Sequence, residues 1–102
     1  MRNKFVFGKL TYYADKVWDI STALEQISNA KNFLLEYEQL CQKYNAGLFS
    51  CGCCDGVFLA GYYIDFNINQ IEYDLEKKKV YLDEQTIEEF FDELKTTIIQ
   101  YQ

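Results

Sequence analysis

At 102 residues the chain has the length of one domain and can bury a core without disulfide or metal staples; 49% apolar residues exclude a disordered chain. Ten basic against sixteen acidic side chains give a net charge of −6, which repels a phosphate backbone and argues against direct nucleic-acid binding. No segment has the roughly eighteen uninterrupted apolar residues of a membrane span, and charges at Arg2, Lys4 and Lys9 break up the apolar run a signal peptide needs. No membrane is therefore expected as a partner, and a cytoplasmic protein with four reduced thiols is.

The first element is read from "KFVFGKLTYY", Lys4 to Tyr13, aromatic and β-branched enough for one or two strands, with Gly8 at a bulge or turn. From about Ser21 the period changes. Ala23, Ile27, Ala30, Leu34, Tyr37, Cys41 and Tyr44 recur at steps of four and three, which predicts one buried stripe on a helix ending at Tyr44 or Asn45. Thr22 and Glu25 have capping-box spacing at its start, Lys43 suits the negative end of its dipole, and Gly47 is placed as the left-handed C-cap.

Beyond the cysteine-rich segment the period becomes two. Tyr62, Ile64, Phe66 and Ile68 alternate with Tyr63, Asp65, Asn67 and Asn69, the pattern of a half-buried strand. The next apolar set, Ile71, Tyr73 and Leu75, is out of phase with the first, so a hairpin turn is expected about Asn67 to Gln70. "EKKK", Glu76 to Lys79, then forms the solvated tip of a second hairpin leading to Val80, Tyr81 and Leu82. Last comes a helix in which Thr86 and Glu89 have capping-box spacing and Ile87, Phe90, Phe91, Leu94, Ile98 and Tyr101 share a face. The predicted fold is a single α+β domain over residues 1–102, an antiparallel sheet of the N-terminal strand plus a C-terminal meander, packed by two helices on one face.

"SCGCCDG", Ser50 to Gly56, holds three of the four cysteines. A zinc site would take Cys51, Cys53 and Cys54 with Cys41 or Asp55 as fourth ligand, but paired C-x2-C knuckles are absent and the chain has no histidine. Cys51 and Cys54 have C-x-x-C spacing, yet the strand-like "VFLA" follows instead of a helix amino terminus, and Asp55 would raise a thiol pKa. Without histidine there is no ordinary base for a cysteine or serine nucleophile, and Asp65, Glu72 and Asp74 read as a solvated strand face. The segment reads best as a tight turn, with Gly52 and Gly56 giving backbone freedom and Asp55 capping amides. No enzyme, metal or cofactor is expected.

"KYNAGLFSCGCCDG", Lys43 to Gly56, resembles a pattern in small uncharacterised proteins encoded by bacterial phages and mobile elements. That resemblance implies a viral or mobile-element source, with host cytoplasm as the working compartment, and a role such as inhibiting a host defence system. The residues add a separate expectation. Nine Tyr, eight Phe and one Trp exceed what one small core encloses, so some of them should face a protein partner or a second copy in a homo-oligomer. The expected partner-binding surface is Cys53, Cys54 and Asp55 of the turn with Tyr63 and Asp65 of the neighbouring strand; the alternative is a small-ligand or metal-binding module built on the same turn.

Overall fold

The computed structural model describes residues 3–7, 10–14, 20–50, 57–60 and 64–100. The described strands fall into two antiparallel sheets. In the first, β1 (Asn3–Phe7), β2 (Leu10–Ala14), β4 (Ile64–Ile68) and β3 (Val57–Ala60) lie in the order β1-β2-β4-β3. The register pairs Phe7 with Leu10, so "KFVFGKLTYY" contains two strands of one hairpin. β4 is central, with Asp65 opposite Thr11 of β2 on one side and Ala60 of β3 on the other.

The second sheet is the meander β5 (Ile71–Asp74), β6 (Lys79–Leu82) and β7 (Gln85–Thr86). Asp74 faces Lys79 across a four-residue connection, where Asp74 Oδ1 accepts the N–H groups of Glu76 and Lys77, each at 2.9 Å, and Lys78 takes a left-handed φ of 58°. This is the lysine-rich hairpin expected from sequence; Leu75, grouped with the strand on its apolarity, is exposed in the connection. The expected hairpin about Asn67 to Gln70 does not form. β4 and β5 belong to different sheets, and the chain crosses between them at Gln70, whose N–H donates to Asp83 Oδ1 at 2.8 Å while its carbonyl accepts the Asp83 N–H at 2.9 Å. The phase slip in the apolar pattern therefore marks a change of sheet.

α1 (Ile20–Tyr44) and α2 (Ile87–Gln100) pack against each other and both reach β6, which gives the expected α+β arrangement of two helices on an antiparallel sheet. α2 starts as its sequence predicts. Glu89 Oε1 accepts the Thr86 N–H at 3.1 Å and Thr86 Oγ1 accepts the Glu89 N–H at 3.2 Å, a reciprocal capping box. α1 differs at both ends. It begins at Ile20, so Thr22 lies inside the helix and not at its cap. At the carboxyl end Asn45, with φ 53°, takes the left-handed position expected of Gly47, and the Ala46 N–H closes onto the Cys41 carbonyl at 3.1 Å in a Schellman arrangement. Gly47 serves a different need, because a Cβ there would collide with Tyr73 Cβ and stand 3.0 Å from its ring.

The core joins both sheets and both helices. Phe66 of β4 meets the ring of Phe91 edge-on at 5.8 Å, and Phe91 meets Phe90 at 5.2 Å, so one aromatic chain couples the first sheet to α2. Ile87, Leu94 and Ile98 extend that face of α2, while Tyr101 lies outside the described residues. α1 contributes Ala23, Ile27, Ala30, Leu34 and Cys41. Tyr44, expected on this stripe, is 65% exposed, and Tyr37 is only half-buried.

Candidate functional site

Among the residues expected to bind a partner, Cys53, Cys54, Asp55 and Tyr63 lie outside the described residues, as does the whole cysteine turn at 51–56. Asp65 is placed by its backbone in β4, paired on both sides; its side chain lies outside the described part. Asp65, Glu72 and Asp74 do not form a common carboxylate face, because Asp65 belongs to one sheet and Glu72 and Asp74 to the other. Asp74 is engaged in its own turn, and the Lys77 N–H foremost, with Glu76, holds its carboxyl below the usual range.

A different surface emerges at the carboxyl end of α1. Past the Asn45 cap, residues 46–49 turn back along the helix, and the Leu48 N–H donates to the Tyr37 hydroxyl at 2.6 Å. Ser50 then fastens the segment to β5, its N–H donating to the Ile71 carbonyl at 2.9 Å. Gly47 permits the close approach, since it passes directly over the Tyr73 side chain. The result is a groove of about 260 Å³ lined by Tyr37, Leu40, Cys41 and Tyr44 on the helix and by residues 46–48 on the returning segment.

Leu40 is 54% exposed, Leu48 and Phe49 are each 69% exposed, and Phe33, one turn before Tyr37, is 57% exposed. Leu40, Tyr44 and Leu48 line the groove together, Phe33 continues their side of α1 by helical spacing, and Phe49 follows Leu48 in the chain, which gives an apolar strip. Among the described residues no charged side chain lines the groove. Behind it, α1 is clamped to the β5–β6 hairpin by polar side chains: Glu38 Oε2 accepts the Val80 N–H at 2.9 Å, and Gln42 Nε2 donates to the Lys78 carbonyl at 2.8 Å. The strip therefore stands on a rigid support.

Two phenols beside it are raised above their ordinary pKa. Cys41 is a buried free thiol at the floor of the groove. Burial raises the Tyr37 phenol above its ordinary pKa; the Leu48 N–H opposes that shift and the neighbouring Cys41 thiol adds to it. Tyr73 is raised as well, first by burial and then by Cys41, Glu38 and Asp74, and its hydroxyl has no hydrogen-bond partner. Among the described residues no group of three histidine, cysteine, aspartate or glutamate side chains converges as a metal cluster would, and no helix is long and apolar enough to cross a membrane.

A second cleft, about 230 Å³, lies between the helices with Lys31, Asp92 and Lys95 at its rim. Its charges are mixed and its floor is core, so it recognises nothing evident. The first site has a signal in the sequence: Phe33, Tyr37, Leu40 and Tyr44 recur at steps of four, three and four, and of the two expected on the buried stripe Tyr37 packs partly against the core while Tyr44 is exposed. Compared with protein-family models, with curated proteins and with solved structures, the chain matches none.

Proposed function

We propose that the protein is a non-enzymatic binding protein that acts by occupying a protein surface through the apolar strip of α1 and residues 46–49. The single observation that carries this reading is the strip itself: Leu40, Tyr44 and Leu48 are more than half exposed and line one groove, with Phe33 exposed one turn before Tyr37 on the same helix and Phe49 exposed next to Leu48 in the chain. Isolated exposed apolar residues need no explanation, but a contiguous group of large ones on a rigid support is the usual composition of an interface centre. Lys43, with its Nζ 5.2 Å from the centre of the Tyr44 ring, and Glu36 supply a polar rim.

The working compartment that goes with this reading is the cytoplasm. Inhibition of a host defence system by a phage or mobile-element protein is one form such binding would take, and that form rests on the resemblance of residues 43–56 alone. A photo-crosslinking side chain at Leu48, in the cell that makes the protein, should give protein adducts that the same side chain at Glu88, exposed on α2, does not. Equal yields at the two positions, or none at Leu48, would overturn the reading.

A further inference from the structure

We propose that the occupant of this strip is a second copy of the chain, docked with its α1 antiparallel to the first about a twofold axis near residues 37–40. The inference rests on the binding reading above and names the partner for the same surface.

The spacing of the exposed residues is that of a short coiled-coil seam. Phe33 and Leu40 occupy d positions and Tyr37 and Tyr44 occupy a positions; Phe33, Leu40 and Tyr44 are more than half exposed, while Tyr37 presents only its outer edge and packs partly against the core. The flanking positions are asymmetric in an informative way. On the e side stand Leu34 and Cys41, both buried in the chain's own core. On the g side stand Glu36 and Lys43, both exposed and of opposite charge.

An antiparallel pair of helices brings a layers opposite d layers and g opposite g. With Tyr37 of one copy beside Leu40 of the second, and Phe33 beside Tyr44, the same twofold brings Glu36 to within about 3 Å, along the axis, of Lys43 of the second copy at 1.5 Å rise per residue. The symmetry makes that charge pair twice. A parallel pairing would instead set Glu36 and Lys43 against the e side, which is closed by the core. Apolar register and charge therefore select the same geometry, and the residues of one patch satisfy each other, as an isologous interface requires.

The size of the surface sets the expected strength. An aromatic side chain buries about 150–250 Å² when enclosed, and with more than half of that still open on Phe33, Tyr44 and Phe49, together with Leu40 and Leu48, each copy offers on the order of 500–600 Å². The total of about 1,000–1,200 Å² lies at the low end for specific association, which corresponds to a concentration-dependent dimer and not an obligate one.

Sedimentation velocity on the full chain, from about 1 to 200 μM, tests this. The wild type should pass from monomer to dimer across that range, and Leu40→Asp should remain monomeric with an unchanged circular dichroism spectrum and melting temperature. Glu36→Lys alone and Lys43→Glu alone should each weaken dimerisation about tenfold, and the double variant Glu36→Lys/Lys43→Glu should restore it. Mixing the two single variants should recover dimer as a heterodimer, because each copy then carries the charge that the other lacks. A monomer at every concentration, or single variants that dimerise like wild type, would overturn the second copy as occupant. If that monomer still gives Leu48 adducts to another protein in the cell, the binding reading stands without it; if Leu48 gives none, both fall.

Discussion

α1 carries two apolar stripes one residue out of phase, and they differ in bulk. The inner stripe is Ala23, Ile27, Ala30, Leu34 and Cys41, small at three of its five positions and buried; the outer one is Phe33, Tyr37, Leu40 and Tyr44, three of them aromatic and most of them open to solvent. Small side chains let the helix axis come close to α2 and β6, where a phenylalanine would hold it off. Apolar period alone does not tell such stripes apart, since neighbouring residues stand only about 100° apart around a helix. Side-chain size does.

The largest test of that difference is Leu34→Ala against Leu40→Ala. Truncating the inner leucine should cost about 2–5 kcal/mol by opening a cavity, and truncating the outer one should stay within about 0.5 kcal/mol when measured by urea unfolding of the monomer. Similar losses at both positions would mean that the outer stripe is also core.

Cys41 sharpens the comparison on the inner side. Cys41→Ser should destabilise by about 1–3 kcal/mol, because it buries a hydroxyl among apolar neighbours, while Cys41→Ala should cost less. Thermal melts under reductant would show the order, and the reverse order would indicate a polar role for the thiol.

Tyr37 is the most buried member of the outer stripe, and its hydroxyl accepts the Leu48 N–H. Tyr37→Phe should cost about 0.5–1.5 kcal/mol, towards the lower end because Leu48 is exposed and water can replace the acceptor. Faster amide exchange at Leu48 would be its signature. An unchanged exchange rate would show that residues 46–48 are held by Ser50 and Gly47 without the phenol.

The smallest effect at neutral pH is expected at Tyr73, whose buried hydroxyl has no partner to lose. Tyr73→Phe should leave the urea midpoint unchanged or raise it. Its consequence appears in alkali. The folded pKa of Tyr73 lies above the value of about 10 in the unfolded chain, so its contribution is complete below pH 10 and is lost as pH rises through the folded value, the unfolded chain releasing its proton first. Tyr73→Phe should therefore flatten the fall in stability above pH 10. An alkaline limb identical to wild type would place that hydroxyl in water.

Much of the local structure was legible in the residues. The second helix could be read to its capping box because Thr86 and Glu89 interact within one turn, and the tip of the β5–β6 hairpin because Asp74 captures amides two and three residues on. The turn between β6 and β7 was not. Asp83 and Glu84 take φ values of 52° and 66°, a conformation usually left to asparagine and glycine, and Asp83 is held there by its paired bonds to Gln70. The candidate site was half legible: the helical period picks out Tyr37, which packs partly on the core, and Tyr44, which is exposed instead of buried, whereas Leu48 and Phe49 carry no periodic signal in a segment without regular structure.

Features that depend on neighbours within a few residues can be read from residue order: the α+β order of elements, the span of α2 and the end of α1. Three others emerge only when distant segments meet: the division of the strands into two sheets at Gln70, the left-handed turn at Asn45 instead of Gly47, and the choice of which stripe on α1 faces the core. Strand partners are chosen by backbone hydrogen bonds between distant segments, which leave no period in the side chains, and the choice of stripe depends on how closely α2 and β6 approach, a distance that no single segment records.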